Sequence, residues 1–218
     1  MSFTRAPQIT SSQTTVHKNL AKVVERYLNN EYQDSIPKHA HDAFNIANEF
    51  VKQRNSPVIL DSGCGTGEST HYLAEKYPDR TIIGIDKSSA RLKRNTNELL
   101  PNQLLIHTDC IHFWRLAHQY NWQLDQHYLL YPNPWPKPGH LQRRWHAHPV
   151  FPVMLKLGGT LTLRTNWNIY ALEFAQSLEI ILNKEVEVKN LEIDHEITAH
   201  ERKYCYSDHS LFEVAIIL

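Results

Sequence analysis

The chain has no apolar run long enough to cross a bilayer and no secretory signal pattern, so the sequence predicts a cytoplasmic protein with no membrane partner. Cysteine is sparse: Cys64, Cys110 and Cys205 are odd in number and scattered, which excludes a disulfide framework. Neither sign of charge is in excess, with 23 Lys and Arg against 23 Asp and Glu. That balance gives no global pull on a polyanion. There is no internal repeat, and low complexity is confined to an N-terminal tail ending near Thr15 and expected to be mobile. His140, His146, His148, Cys205 and His209 lack the paired spacing of zinc ligands, and no metal is expected. At 218 residues and 41% hydrophobic content, the chain suffices for one well-buried domain.

What is there is an alternation of strand and helix. Helical stretches at Val16–Asn29 and His39–Gln53 precede strands at Val58–Asp61, Thr81–Asp86, Leu104–Thr108, Gln126–Tyr131, Thr160–Thr165, Glu185–Ile193 and Leu211–Leu218. Helices are expected at Ser69–Lys76, Ser88–Leu100, Ile111–Tyr120, Arg144–Leu157 (kinked near Pro149 and Pro152) and Asn168–Asn183. Such alternation predicts an α/β fold with a mostly parallel seven-stranded sheet, helices on both faces, and an N-terminal helical extension. Residues 1–55 are expected to form the tail and extension, and residues 56–218 the α/β domain.

The first strand runs into Asp61-Ser62-Gly63-Cys64-Gly65-Thr66-Gly67-Glu68. The dinucleotide fingerprint would put glycine at Glu68. Here the third glycine comes one place early and the strand ends in an acid, which suits a ligand with an ammonium and no pyrophosphate. The next two strands end in Asp86 and Asp109. Acids closing three successive strands around a glycine turn resemble the S-adenosylmethionine site of Rossmann-like class I methyltransferases. That resemblance implies cofactor contacts from Asp61, Gly63, Gly65, Gly67, Asp86, Asp109 and Cys110. Small-residue packing accounts equally for Cys64 and Cys110.

The fourth strand ends in Tyr131-Pro132-Asn133-Pro134-Trp135-Pro136-Lys137, followed by His140 and Arg143-Arg144. Three prolines in five positions make a stiff rim at the carboxyl end of a strand, where ligands of open α/β sheets bind. From Ile111 to His148 the only acid is Asp125, and Lys18, Lys22 and Arg26 share one face of the first helix. A basic face on a neutral chain is thus expected, with Arg143 and Arg144 as phosphate contacts and Trp135 as a stacking platform.

The rim resembles the signature of the bacterial tRNA (guanine-N7)-methyltransferases, whose strand ends Phe-Pro-Asp-Pro-Trp before a lysine and a basic run. Thr165-Asn166-Trp167 resembles that family's Thr-Asp-Trp, and Thr198-Ala199-His200-Glu201 its Thr-x-x-Glu block. The resemblance implies a methyl transfer to N7 of a guanosine in tRNA, by a monomer or homodimer. Lys137, Asn166, Thr198 and Glu201 would surround the guanosine with Asn133, Trp135, Arg143 and Arg144, and Asn133 and Glu201 would carry the catalytic roles. Two departures stand out, because the family has aspartate where this chain has Asn133 and Asn166. Carboxylates accept well from guanine N1–H and N2–H, whereas a carboxamide has one acceptor and two donor hydrogens. The amides open two alternatives. One is amino-group transfer to adenine N6 or glutamine, through an Asn-Pro-aromatic arrangement. The other is a tRNA- and cofactor-binding homologue with little turnover.

Overall fold

The computed structural model describes residues 5–28, 30 and 32–218. Asn29, the last residue of the expected first helix, and residues 1–4 of the tail lie outside them. The elements are α1 (Leu20–Leu28), α2 (Lys38–Arg54), β1 (Val58–Ser62), α3 (Glu68–Lys76), β2 (Thr81–Asp86), α4 (Ser89–Leu92), β3 (Gln103–His107), α5 (Cys110–Gln119), β4 (Leu124–Leu130), α6 (Phe151–Leu155), β5 (Thr160–Thr165), α7 (Asn168–Leu182), β6 (Lys189–Asn190), α8 (Ala199–Tyr206) and β7 (Phe212–Ile217). The strands form one seven-stranded sheet in the order β3-β2-β1-β4-β5-β7-β6. β1 pairs in parallel with β2 and β4, and β2 in parallel with β3, while β6 runs antiparallel to β7. The order reverses between β1 and β4, which is the switch point at which such sheets bind ligands.

The chain divides into two compact units that do not follow the expected boundary after residue 55. One, the glycine-loop unit, comprises residues 34–130, 153–161 and 217–218. Its β1 and β2 are buried along their whole length, as parallel strands covered on both faces must be. Phe44 of α2 meets Phe113 of α5 edge to face at 5.3 Å, and Trp122 joins them while its indole N–H donates to Asn48. The other, the proline-rim unit, holds the described residues up to 33 together with 131–152 and 162–216. There Leu20, Val23 and Val24, spaced as one helical face, pack with Leu141, Ala147, Ile180 and Ile181.

Four expectations about elements need correction. The helix expected over Ser88–Leu100 stops at Leu92, because Asn95 folds its side chain back onto the Asn97 N–H and offers the backbone a turn instead. The strand expected over Glu185–Ile193 shrinks to Lys189–Asn190, an exposed edge pair facing Phe212 and Glu213. Short edge strands leave little unpaired backbone for another chain. A helix, α8, occupies the stretch between the expected strands Glu185–Ile193 and Leu211–Leu218, where no element is expected from the sequence. Its N-cap Thr198 accepts from the Glu201 N–H, so the Thr-x-x-Glu block is a helix start. The expected kinked helix at Arg144–Leu157 resolves into 3-10 turns at Pro138–Arg143 and Trp145–Ala147 followed by α6.

Candidate functional site

In the glycine-loop unit, Asp61 is the penultimate residue of β1 and almost fully buried. Its Oδ2 accepts from Ser69 Oγ at 2.6 Å and Thr70 Oγ1 at 2.7 Å, whereas Oδ1 is buried with no partner among the described residues. Burial pushes the Asp61 carboxyl up to about 6, against the pull of the Ser69 and Thr70 hydroxyls and with a further push from Asp86. An orphaned carboxylate oxygen at a strand end fits a cationic ligand group better than a neutral one.

Gly63, Gly65 and Gly67 all have positive φ, and the Gly63 and Cys64 N–H groups donate to Ile85 O, folding the loop over the end of β2. A Cβ on Gly63 or Gly65 would meet no atom within 4 Å, so the loop lays bare backbone towards open space. Asp86, at the end of β2, accepts from Gly65 N at 3.0 Å and Ser88 N at 2.7 Å and faces Arg91 at 3.3 Å. Asp109 caps α5 by accepting from Ile111 N. Burial, reinforced by nearby aspartates, raises both the Cys64 and Cys110 thiols, so neither is a thiolate. One trio escaped the sequence reading: Trp114 Nε1 donates to Ser62 Oγ, which bonds His127 Nε2 at 2.8 Å. Burial holds His127 neutral by lowering it to about 3.

The proline-rim unit gathers the acceptor-side candidates. Tyr131 and Trp135 both sit at positive φ, a strained setting for bulky side chains. Exposed Asn133 turns its Oδ1 back to the Trp135 N–H at 3.2 Å. Arg143 lies over the Trp135 ring at 4.8 Å and His140 meets its edge. One face of that ring is therefore already covered by a cation. Lys137 is exposed and makes no ion pair among the described residues.

Arg144 is a correction. Its side chain is fully buried, where no phosphate reaches it. Its guanidinium pairs with Glu173, bonds Gln13 Oε1 at 3.0 Å, and donates to the carbonyls of Trp135 and Lys137. Glu173 also accepts from Gln13 Nε2, His17 N and His146 Nε2. Burial raises Glu173, but His146 and Arg144 outweigh it and hold the carboxyl at about 2. Burial in turn lowers His146 below its ordinary value, against the opposing pull of Glu173. The same node corrects the expectation of a mobile tail, since Gln13 is buried and Ser11 Oγ donates to Pro136 O at 2.8 Å.

Glu201 is the second correction. It is fully buried, and its Oε1 accepts from Tyr131 OH at 3.1 Å and Arg164 Nη1 at 2.9 Å while Oε2 accepts from Ile197 N. Arg164 bridges on to Glu213. A carboxylate so committed is not a free anion for a substrate, and the Thr198 hydroxyl oxygen accepts the Glu201 N–H as the cap of α8. Asn166 remains half-buried, its Nδ2 at 3.1 Å from His209 Nδ1. Glu173, Gln13, Arg164 and His209 carried no local sequence signal, because their partners lie tens of residues away. Among the described residues there is no group of three or more His, Cys, Asp or Glu that could hold a metal, and no helix long and apolar enough to cross a membrane.

Comparison with known proteins accords with this geometry. A tRNA (guanine-N(7)-)-methyltransferase of Buchnera aphidicola subsp. Baizongia pistaciae is 33% identical over 61% of this chain and 57% of its own length. The protein of the same name from Thermus thermophilus is 32% identical over 75% of this chain and 55% of its own. The chain thus spans little more than half the length of these relatives. Solved structures share the fold at 14% identity: an antibiotic-related methyltransferase with a TM-score of 0.60, covering 86% of this chain and 98% of the other, and the 16S rRNA methyltransferase KamB with a TM-score of 0.59, covering 94% and 98%. Residues 55–214 match the family described as "Putative methyltransferase", and with that match extending over most of its length the chain belongs to this methyltransferase family.

Proposed function

We propose that the protein transfers the methyl group of S-adenosylmethionine to N7 of a guanosine in tRNA, working in the cytoplasm. The observation that carries the cofactor half is the buried, unpartnered Asp61 Oδ1 beside the open glycine loop. Asp61 would take the ammonium, the Gly63–Gly67 backbone would approach the cofactor closely, and Asp86 would accept from the ribose hydroxyls. The cofactor supplies an electrophilic methyl on a sulfonium. The substrate half rests on the names of the relatives and on Asn133, Lys137 and Asn166 in the rim unit. Guanine N7 has its own lone pair, so the chain's task is to place the base and exclude water rather than to remove a proton. The amino-group alternative is weakened by Asn133, whose oxygen is directed at the Trp135 N–H.

The raised Asp61 carboxyl gives a pH test. With its titration at about 6, Asp61 is an anion at neutral pH and neutral at pH 5, so it loses its attraction for an ammonium as the pH falls. Affinity for S-adenosylmethionine is expected to drop about tenfold per pH unit below that point. Calorimetry between pH 5 and 7.5 reads this directly, and Asp61→Asn should bind weakly with a flat profile. A wild-type profile equally flat, or tight NAD binding in place of S-adenosylmethionine, refutes the assignment.

The basic side chains give a salt test. Lys22 and Arg26 line a cleft of about 550 Å³ with Gln142, whose side chain accepts from Tyr27 OH, and Arg143 follows Gln142 in the chain. If Arg143 contacts RNA phosphate, Arg143→Ala should lower the slope of log affinity for tRNA against log salt by roughly one unit. An unchanged slope moves the RNA away from this turn.

A further inference from the structure

Asn166 stands where the resembling family has aspartate, yet its carboxamide is not free to turn. Its Nδ2 lies 3.1 Å from His209 Nδ1. An amide nitrogen can only donate, so the imidazole must present its Nδ1 lone pair and carry its proton on Nε2. No competing partner draws the tautomer the other way, because His209 Nε2 has no hydrogen-bond partner among the described residues. Tyr204 stacks on the His209 ring at 5.4 Å and 15°, fixing its plane, and the His209 backbone N–H donates to the Tyr204 carbonyl. The Tyr204 hydroxyl also lies within hydrogen-bonding reach of the Asn166 carboxamide. With Nδ2 held by His209, Oδ1 is the one acceptor that the carboxamide has to offer a ligand.

We infer that His209 and Tyr204 are positioning residues that lock the Asn166 carboxamide with its oxygen outwards, as a dedicated acceptor for the N1–H or N2–H of the target guanine. The inference rests on the guanine-N7 reading proposed above. A freely rotating asparagine would present its NH2 half the time, donor against donor. The clamp removes that state and recovers, without a charge, the directional part of what a carboxylate supplies. His209 thereby substitutes for the symmetry of an aspartate, whose two oxygens accept whichever way they face.

That difference defines the test. Initial rates of N7-methylguanosine formation on tRNA transcripts would be measured for wild type, His209→Ala, Asn166→Asp and the double variant. His209→Ala is expected to reduce kcat/KM about tenfold in the native background but less than about threefold in the Asn166→Asp background, because an aspartate needs no orientation. A merely structural role for His209 would reduce both backgrounds by the same factor, and that result, or no reduction in the native background, overturns the inference. A wild-type protein that binds tRNA yet forms no N7-methylguanosine overturns the guanine-N7 reading, and the inference falls with it.

Discussion

Glu173→Ala is expected to cost about 3–5 kcal/mol of folding stability, the scale for removing one partner of a buried ion pair. Glu173 and Arg144 are both fully buried, and the guanidinium would be left with carbonyl and amide acceptors but no anion. The damage should extend to the rim, since Arg144 is what ties the carbonyls of Trp135 and Lys137 to Gln13. Urea unfolding of wild type, Glu173→Ala and Arg143→Ala makes the comparison, with the exposed Arg143 expected to change stability by under about 0.5 kcal/mol. A Glu173→Ala variant within about 1 kcal/mol of wild type would show the node to be dispensable. The acid limb of stability carries the same signature. A carboxyl held at about 2 contributes stability that is complete above its ordinary value of 4.5 and is lost as the pH falls from there towards 2. His146, which burial lowers, adds to the loss from its ordinary value of 6.5 downwards, because the unfolded chain takes up that proton more readily than the folded one.

Adjacent arginines show where sequence stops informing. Arg143 and Arg144 are indistinguishable as letters, and both were natural phosphate contacts. The 3-10 turn ending at Arg143 sends one side chain over Trp135 and the other into the interior, where its partners come from residue 13 and residue 173. No local pattern encodes such a meeting. The glycine-loop unit is legible because its signals are local: β-branched runs, an acid at or just past the ends of β1, β2 and β3, and glycines where φ is positive. Thr198 and Glu201 lie between these cases. Their spacing is a helix-start signature readable without any structure, yet similarity to a binding block pulled it towards a substrate role. Only the placement of Arg164 and Tyr131 against Glu201 shows that the carboxylate is already committed.

Restoring aspartate at both Asn133 and Asn166 is expected to raise guanine-N7 transfer by about ten- to a hundredfold, equivalent to about 1–3 kcal/mol in the transition state. The two positions should not contribute equally. Asn133 gives its oxygen to the Trp135 N–H, which leaves an NH2 as its outward end, a donor facing guanine donors. Asn133→Asp keeps that turn and replaces the NH2 with a second acceptor. Being exposed, the new carboxylate pays little desolvation. Asn166 already has its Nδ2 held by His209, so Asn166→Asp adds charge but no new direction, and its single-variant gain should be the smaller. Repulsion from Glu201 is blunted at both positions because Arg164 pairs with it. Each added anion also faces the positive charge that develops on the purine as the methyl arrives. If the acceptor is an amino group instead, the order reverses, since Asn133→Asp would then remove a carboxamide suited to an NH2 substrate and lower the rate. Measuring N7-methylguanosine and N6-methyladenosine separately for both single variants and the double variant decides the matter. An unchanged rate and product in the double variant would mean that neither side chain touches the base.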